Sequence, residues 1–125
     1  MHEKRIMHRD LKPANIFIDN NGNLKVGDLG LSRQLSNQTL EAFSRVGTPL
    51  YMSPEVLQGK GYDFKSDMWS VGCIAYELCN LTSPFRKGNE NLSLYDLFQK
   101  ICKGTIPPIS DKYSEELKRV IMGML

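Results

Sequence analysis

The sequence predicts a mainly α-helical fold with one small β-hairpin, and two features lead there. Apolar residues recur at helical spacing in three stretches of the second half: Ser66 to about Asn80, Ser93 to Lys103, and Ser114 onward. Earlier, Ile16-Phe17-Ile18-Asp19 and Leu24-Lys25-Val26-Gly27 read as two short strands around Asn20-Asn21-Gly22-Asn23. Asn-Gly at the centre of such a loop signals a hairpin, because a type I′ turn needs positive φ at both central residues.

The 125 residues suffice for one domain with a real core. With 41% hydrophobic and 24% charged residues, the composition is that of ordinary globular material. A net charge of +2, with lysines and arginines scattered, argues against a nucleic-acid partner. Cys73, Cys79 and Cys102 are odd in number and form no CxxC, so neither a disulfide framework nor a zinc site is expected. A reducing cytoplasmic or nuclear setting fits that usage. No apolar run approaches the roughly 18 residues a membrane span needs, so no membrane partner is expected.

After the hairpin, residues 31–52 are polar and turn-rich and read as a long functional loop. Ser53-Pro54-Glu55 opens a short helix, with serine at the N-cap, proline at the first helical position and an acid in the first turn. Gly59 and Gly61 close it. The next helix takes Ser66 as N-cap and is apolar all round, which predicts burial on every side. Leu94, Leu97, Phe98, Ile101 and Cys102 form one stripe on the third helix, stopped by Gly104, Pro107 and Pro108. Ser114 opens the last, with Glu115 and Glu116 at its positive end. Both chain ends read as cut through structured elements.

A two-residue Asn21-Gly22 turn sets Phe17 opposite Val26, Ile16 opposite Gly27 and Asn15 opposite Asp28. Opposed residues in an antiparallel pair lie only ~4.5–5.5 Å apart. An amide oxygen and a carboxylate would then converge at the open end of the hairpin. Both are hard oxygen donors of the kind Mg2+ takes. Asp10 and Lys12 lie just upstream. Two carboxylates ~8 Å apart repel by about 2 kcal/mol at an effective dielectric of 20, which a cation and Lys12 would offset. An EF-hand reading of the DNNGN turn fails, because Leu24 and Gly30 occupy its glycine and final-acid positions. His8 by itself reads as a packed core histidine.

His8-Arg9-Asp10-Leu11-Lys12-Pro13-Ala14-Asn15 resembles the catalytic loop of eukaryotic protein kinases. Asp28-Leu29-Gly30 sits where that family has D-F-G, and Ser53-Pro54-Glu55 where it has A-P-E. Ser66-Asp67-Met68-Trp69-Ser70-Val71-Gly72 looks like the start of its buried central helix. D-L-G, S-P-E and Val46-Gly47-Thr48-Pro49 resemble the NIMA-related serine/threonine kinases. Tyr62 to Asp67, Ser83-Pro84-Phe85 and Tyr113 to Leu117 are most like the short subgroup numbered six and seven, with Leu50 a departure from the usual tyrosine.

The resemblance implies the C-terminal, large lobe of the protein-kinase fold, truncated at both ends, and a set of roles. Asp10 would orient the substrate hydroxyl and accept its proton. Lys12 would steady the γ-phosphate of ATP, and Asn15 and Asp28 would hold Mg2+. Thr48 would bridge Asp10 and Lys12, and Leu31 resembles kinases preferring serine. Arg9 would pair with a phosphate placed on the loop by an activating kinase, at Ser44 first and Thr39 second. His8 and Leu29 would join the hydrophobic stack beneath the site. Asp67 would bond the catalytic-loop backbone, and Glu55 would pair with an arginine beyond residue 125. Partners would be ATP and serine/threonine-bearing protein substrates. Location would be cytoplasmic, with nuclear, microtubule or centrosomal association as family implications.

No G-x-G-x-x-G occurs, and there is no room for the lobe that carries it. The expectation is therefore that Met1–Leu125 alone has negligible kinase activity and weak ATP binding. The alternative is a non-catalytic docking module built from a kinase C-lobe.

Overall fold

In the computed structural model, which describes residues 1–28, 49–88 and 90–125, the hairpin is present. Strands β1 (Ile16–Ile18) and β2 (Leu24–Val26) pair antiparallel, with Ile16 opposite Val26, Phe17 opposite Lys25 and Ile18 opposite Leu24. This is one residue off the expected register. The cause is the turn. Asp19 N–H donates to Asn23 O and Gly22 N–H to Asp19 O, both at 2.9 Å, so the loop is the three residues Asn20-Asn21-Gly22. Gly22 takes φ 81°, as the left-handed position of such a loop requires. The Asp19 side chain selects this loop by accepting from the N–H groups of Asn21 and Asn23, each at 2.9 Å.

Helix α1 (Pro54–Leu57) starts at Ser53 as expected. Helix α2 (Phe64–Asn80) starts earlier than expected, because Asp63, not Ser66, is its N-cap. Asp63 Oδ1 accepts from Lys65 N–H (2.7 Å) and Ser66 N–H (3.1 Å), while Ser66 Oγ accepts from Asp63 N–H (3.3 Å). That is a capping box with serine at its third position. Helices α3 (Leu94–Lys103) and α4 (Glu115–Met122) start at Ser93 and Ser114, whose hydroxyls accept from the N–H three residues on. Gly104, left-handed at φ 64°, ends α3.

One core cluster joins Leu50, Leu57, Trp69, Cys73, Phe85, Leu97 and Ile101, and draws on the segment before α1 and on α1, α2 and α3. Trp69 stacks on Phe85 at 5.7 Å. A second cluster, Tyr76, Ile109 and Ile121, seats α4 on α2. There Gly72 lets the chain end approach closely: a Cβ at this position would lie 2.9 Å from that of Met124. The expected burial of α2 on every side is not met, since Met68 and Leu78 are exposed. All three cysteines are free thiols, and burial, with Glu77 nearby, pushes Cys73 up to about 12. Among the described residues no helix is long and apolar enough to cross a membrane.

Candidate active site

The site is built downward from its polar tip to a buried carboxylate. Asp67 lies in the first turns of α2 and is 1% exposed. Its Oδ2 accepts from the backbone N–H of His8 and from His2 Nε2–H, both at 2.8 Å. Its Oδ1 accepts from the backbone N–H of Arg9 at 2.9 Å and from the Tyr62 hydroxyl at 2.6 Å. Burial alone would raise this carboxyl. Hydrogen bonds from Tyr62, His2 and the Arg9 and His8 amides outweigh it and hold the group below the usual carboxylate range. The same burial, then Asp67 itself, pushes the Tyr62 phenol far above its ordinary value. Tyr62 is therefore a permanent donor.

That grip holds a strained backbone in place. Arg9 sits at φ 69°, a left-handed conformation that costs a non-glycine residue of order 1–3 kcal/mol. His8, buried beside it, donates from Nε2–H to Gly27 O at 2.8 Å and accepts the Asp10 N–H at Nδ1 at 3.3 Å. A carbonyl only accepts, so these two partners fix the tautomer. The histidine thereby ties the loop to the end of β2.

Above this floor, Lys12 Nζ lies 2.9 Å from Asp10 Oδ2. Asn15, buried at the end of a 3-10 turn (Pro13–Asn15), donates from Nδ2 to Asp10 O at 2.8 Å and to Asp10 Oδ2 at 3.1 Å. Both acceptors are oxygens, so the amide's Nδ2 faces Asp10 and its Oδ1 is turned away. Gly27 N–H donates to Asn15 O at 2.9 Å. Asn15 therefore faces Gly27 across the hairpin, and the expected opposition of Asn15 to Asp28 is overturned by the three-residue turn. Asp28 follows one step on, exposed and left-handed at φ 59°.

The sequence matches the protein kinase domain family over residues 1–125. This chain belongs to the protein kinase family. It is 45% identical to human serine/threonine-protein kinase Nek5 over 97% of its length. It is 48% identical to the probable serine/threonine-protein kinase nek2 of Dictyostelium discoideum over 96%, and 44% identical to the G2-specific protein kinase fin1 of Schizosaccharomyces pombe over 99%. These relatives place the chain among the NIMA-related kinases. It spans 17%, 28% and 17% of their respective lengths.

Of the residues singled out in the kinase sequence, the structure brings Asp10, Lys12 and Asn15 into one cluster, with His8, the Arg9 backbone and Asp67 beneath. Glu55 accepts from Ser66 Oγ at 2.6 Å, which ties it to α2. Leu29, Leu31, Thr39, Ser44 and Thr48 lie outside the described residues. Sequence reasoning missed His2 and Tyr62. Nothing local marks His2, whose partner is 65 positions away. Tyr62 carried a faint signal: an aromatic residue with a polar tip, immediately before a helix cap.

Proposed function

We propose that the protein containing this chain transfers the γ-phosphate of ATP to serine or threonine hydroxyls of protein substrates, and that the chain forms the large-lobe side of that site. The observation that carries this reading is the Asp10 carboxylate, paired with Lys12 and Asn15 at the top of a loop pinned to Asp67 from below.

The chemistry follows from charge and position. Asp10 accepts a hydrogen bond from the acceptor hydroxyl and orients its oxygen. In a loose transition state the proton leaves late, so a weak base suffices. Lys12, already beside Asp10, offers its ammonium to the transferring phosphate and keeps two anions from repelling each other. Asn15 Oδ1 and the Asp28 carboxylate are hard oxygens, few in number, which suits Mg2+ with the rest of its shell from phosphate and water. Mg2+, when bound, neutralises charge on the phosphate oxygens. Leu31 supports a preference for serine. Arg9 supports switching by phosphorylation of the loop at Ser44, or second at Thr39.

The test is phosphate transfer from Mg-ATP to a serine peptide by the whole protein. Asp10→Asn should lower the rate by roughly 10²–10⁴-fold without moving the melting temperature. Transfer at the unaltered rate in that variant would end this reading.

A further inference from the structure

Apart from the Asp63 cap, three polar contacts tie the segment that leads from Pro49 to α2 to the first two turns of that helix. Ser70 Oγ donates to Tyr51 O at 2.8 Å, Ser66 Oγ donates to Glu55 Oε1 at 2.6 Å, and the Tyr62 hydroxyl donates to Asp67 Oδ1 at 2.6 Å. Of the three, only the last lands on an atom that also holds the catalytic loop. Oδ1 accepts the Arg9 N–H as well, at 2.9 Å, whereas the His8 N–H goes to Oδ2. A carboxylate sharing one oxygen between two donors is oriented by both. Without the hydroxyl the carboxylate is free to rotate toward its Oδ2 partners, and the Arg9 amide would lose alignment first.

We infer that Tyr62 is a positioning residue, whose hydroxyl aligns Asp67 Oδ1 on the Arg9 amide and so couples the 49–63 segment to the backbone that presents Asp10. Tyr62 touches no reacting atom. It acts through one shared oxygen on a strained residue, where a small loss of alignment reaches the next residue along, Asp10. The link to catalysis rests on the function proposed above, while the coupling itself does not.

The experiment is amide hydrogen exchange, read residue by residue, on the wild-type chain and two variants. Tyr62→Phe removes the hydroxyl and keeps the ring. Tyr51→Phe is the matched control: its hydroxyl donates to Glu77 Oε2, also at 2.6 Å, and has no contact with the loop. Tyr62→Phe should speed exchange at Arg9 by about tenfold, the loss expected for a hydrogen bond to a charged group, with a smaller change at His8. Tyr51→Phe should leave the ratio of Arg9 to His8 exchange as in wild type. Equal acceleration in both variants, or none at Arg9, would overturn the inference. Should Tyr62→Phe fail to fold, 4-fluorophenylalanine in place of Tyr62 fills the hydroxyl's space without donating, and 4-aminophenylalanine there keeps a donor. Arg9 protection lost in the first and kept in the second supports the coupling, and any other pattern refutes it. In the whole kinase Tyr62→Phe should lower kcat severalfold with KM for ATP unchanged. If Asp10→Asn left transfer intact while the exchange pattern held, the functional reading would fall and the coupling would stand.

Discussion

The start of α2 and the β-hairpin both hold an aspartate that organises backbone N–H groups, and they do so with opposite consequences. Asp67 is buried, reaches across the sequence, and joins the 1–9 segment, Tyr62 and α2. Asp19 binds Asn21, Asn23 and, loosely, Lys25, all within six residues. The side chains around it are open: Phe17, Ile18, Leu24 and Val26 are 50–72% exposed. Long-range anchoring fixes where the loop sits relative to the core. Local anchoring fixes only which residues face each other. The precision of the Asp10 cluster is therefore inherited from α2 more than from the hairpin.

The largest expected effect follows from the first half of that contrast. Asp67→Ala leaves the His8 and Arg9 amides and the Tyr62 hydroxyl without their acceptor in the interior. Removing one side of such a buried charged network costs about 3–5 kcal/mol, a large part of the stability of a domain this size. Urea denaturation should show the midpoint collapsing, or no cooperative transition at all. A loss below about 1 kcal/mol would mean that the loop is held from elsewhere, and the contrast would fail.

Acid separates the two anchors more gently. Both carboxyls are held below the usual range, Asp67 by its hydrogen bonds against burial and Asp19 mainly by the Asn23 amide. A carboxyl with a depressed folded-state value stabilises fully above its unfolded value of ~3.9, and that contribution is lost as pH falls through the folded value. Below about pH 4, then, both anchors weaken. Loss at Asp67 should appear as a fall in global stability, and loss at Asp19 only as faster exchange of the Asn21 and Asn23 amides. NMR titration of the two carboxyls alongside thermal melts would check this. A global transition that tracks Asp19 would reverse the assignment.

The same contrast explains what could be read in advance. Helices α3 and α4 were legible because each start is marked by one residue, Ser93 or Ser114, ahead of a periodic stripe, and α1 because Ser53, Pro54 and Glu55 mark its start together. For α2 the sequence offers two competent caps three positions apart, and only the reciprocal bonds of Asp63 and Ser66 decide between them. The hairpin was legible in existence but not in register. Asn21-Gly22 suits a two-residue loop, and a preceding Asp19 able to bind two N–H groups turns it into three. One residue of difference moved the partner of Asn15 from Asp28 to Gly27. The cluster of Asp10, Lys12 and Asn15 lies within six residues and was visible as a motif. His2 was not, because a contact across tens of residues leaves no periodicity to detect, and Tyr62 was not, because nothing in the pattern says that its hydroxyl turns onto Asp67 five positions on.

The smallest expected effect probes the turn directly. Gly22 has φ 81° and no atom within 4 Å of where a Cβ would stand, so substitution there tests backbone conformation and nothing else. Gly22→Ala should cost about 1–2 kcal/mol, the penalty for a left-handed alanine. Gly22→Asn should cost less, since asparagine tolerates that region. The loss should stay in the hairpin and be read as faster exchange of the Asp19 amide, which bonds Asn23 O across the turn. Exchange at His8 and Arg9 should be unchanged, because their acceptor is on α2. One channel could carry the effect further: His8 Nε2 is bonded to Gly27 O, at the far end of β2. If the Arg9 amide loosened in step with Asp19, the hairpin would be helping to aim the loop that carries Asp10 through that imidazole, and the two anchors would be one system.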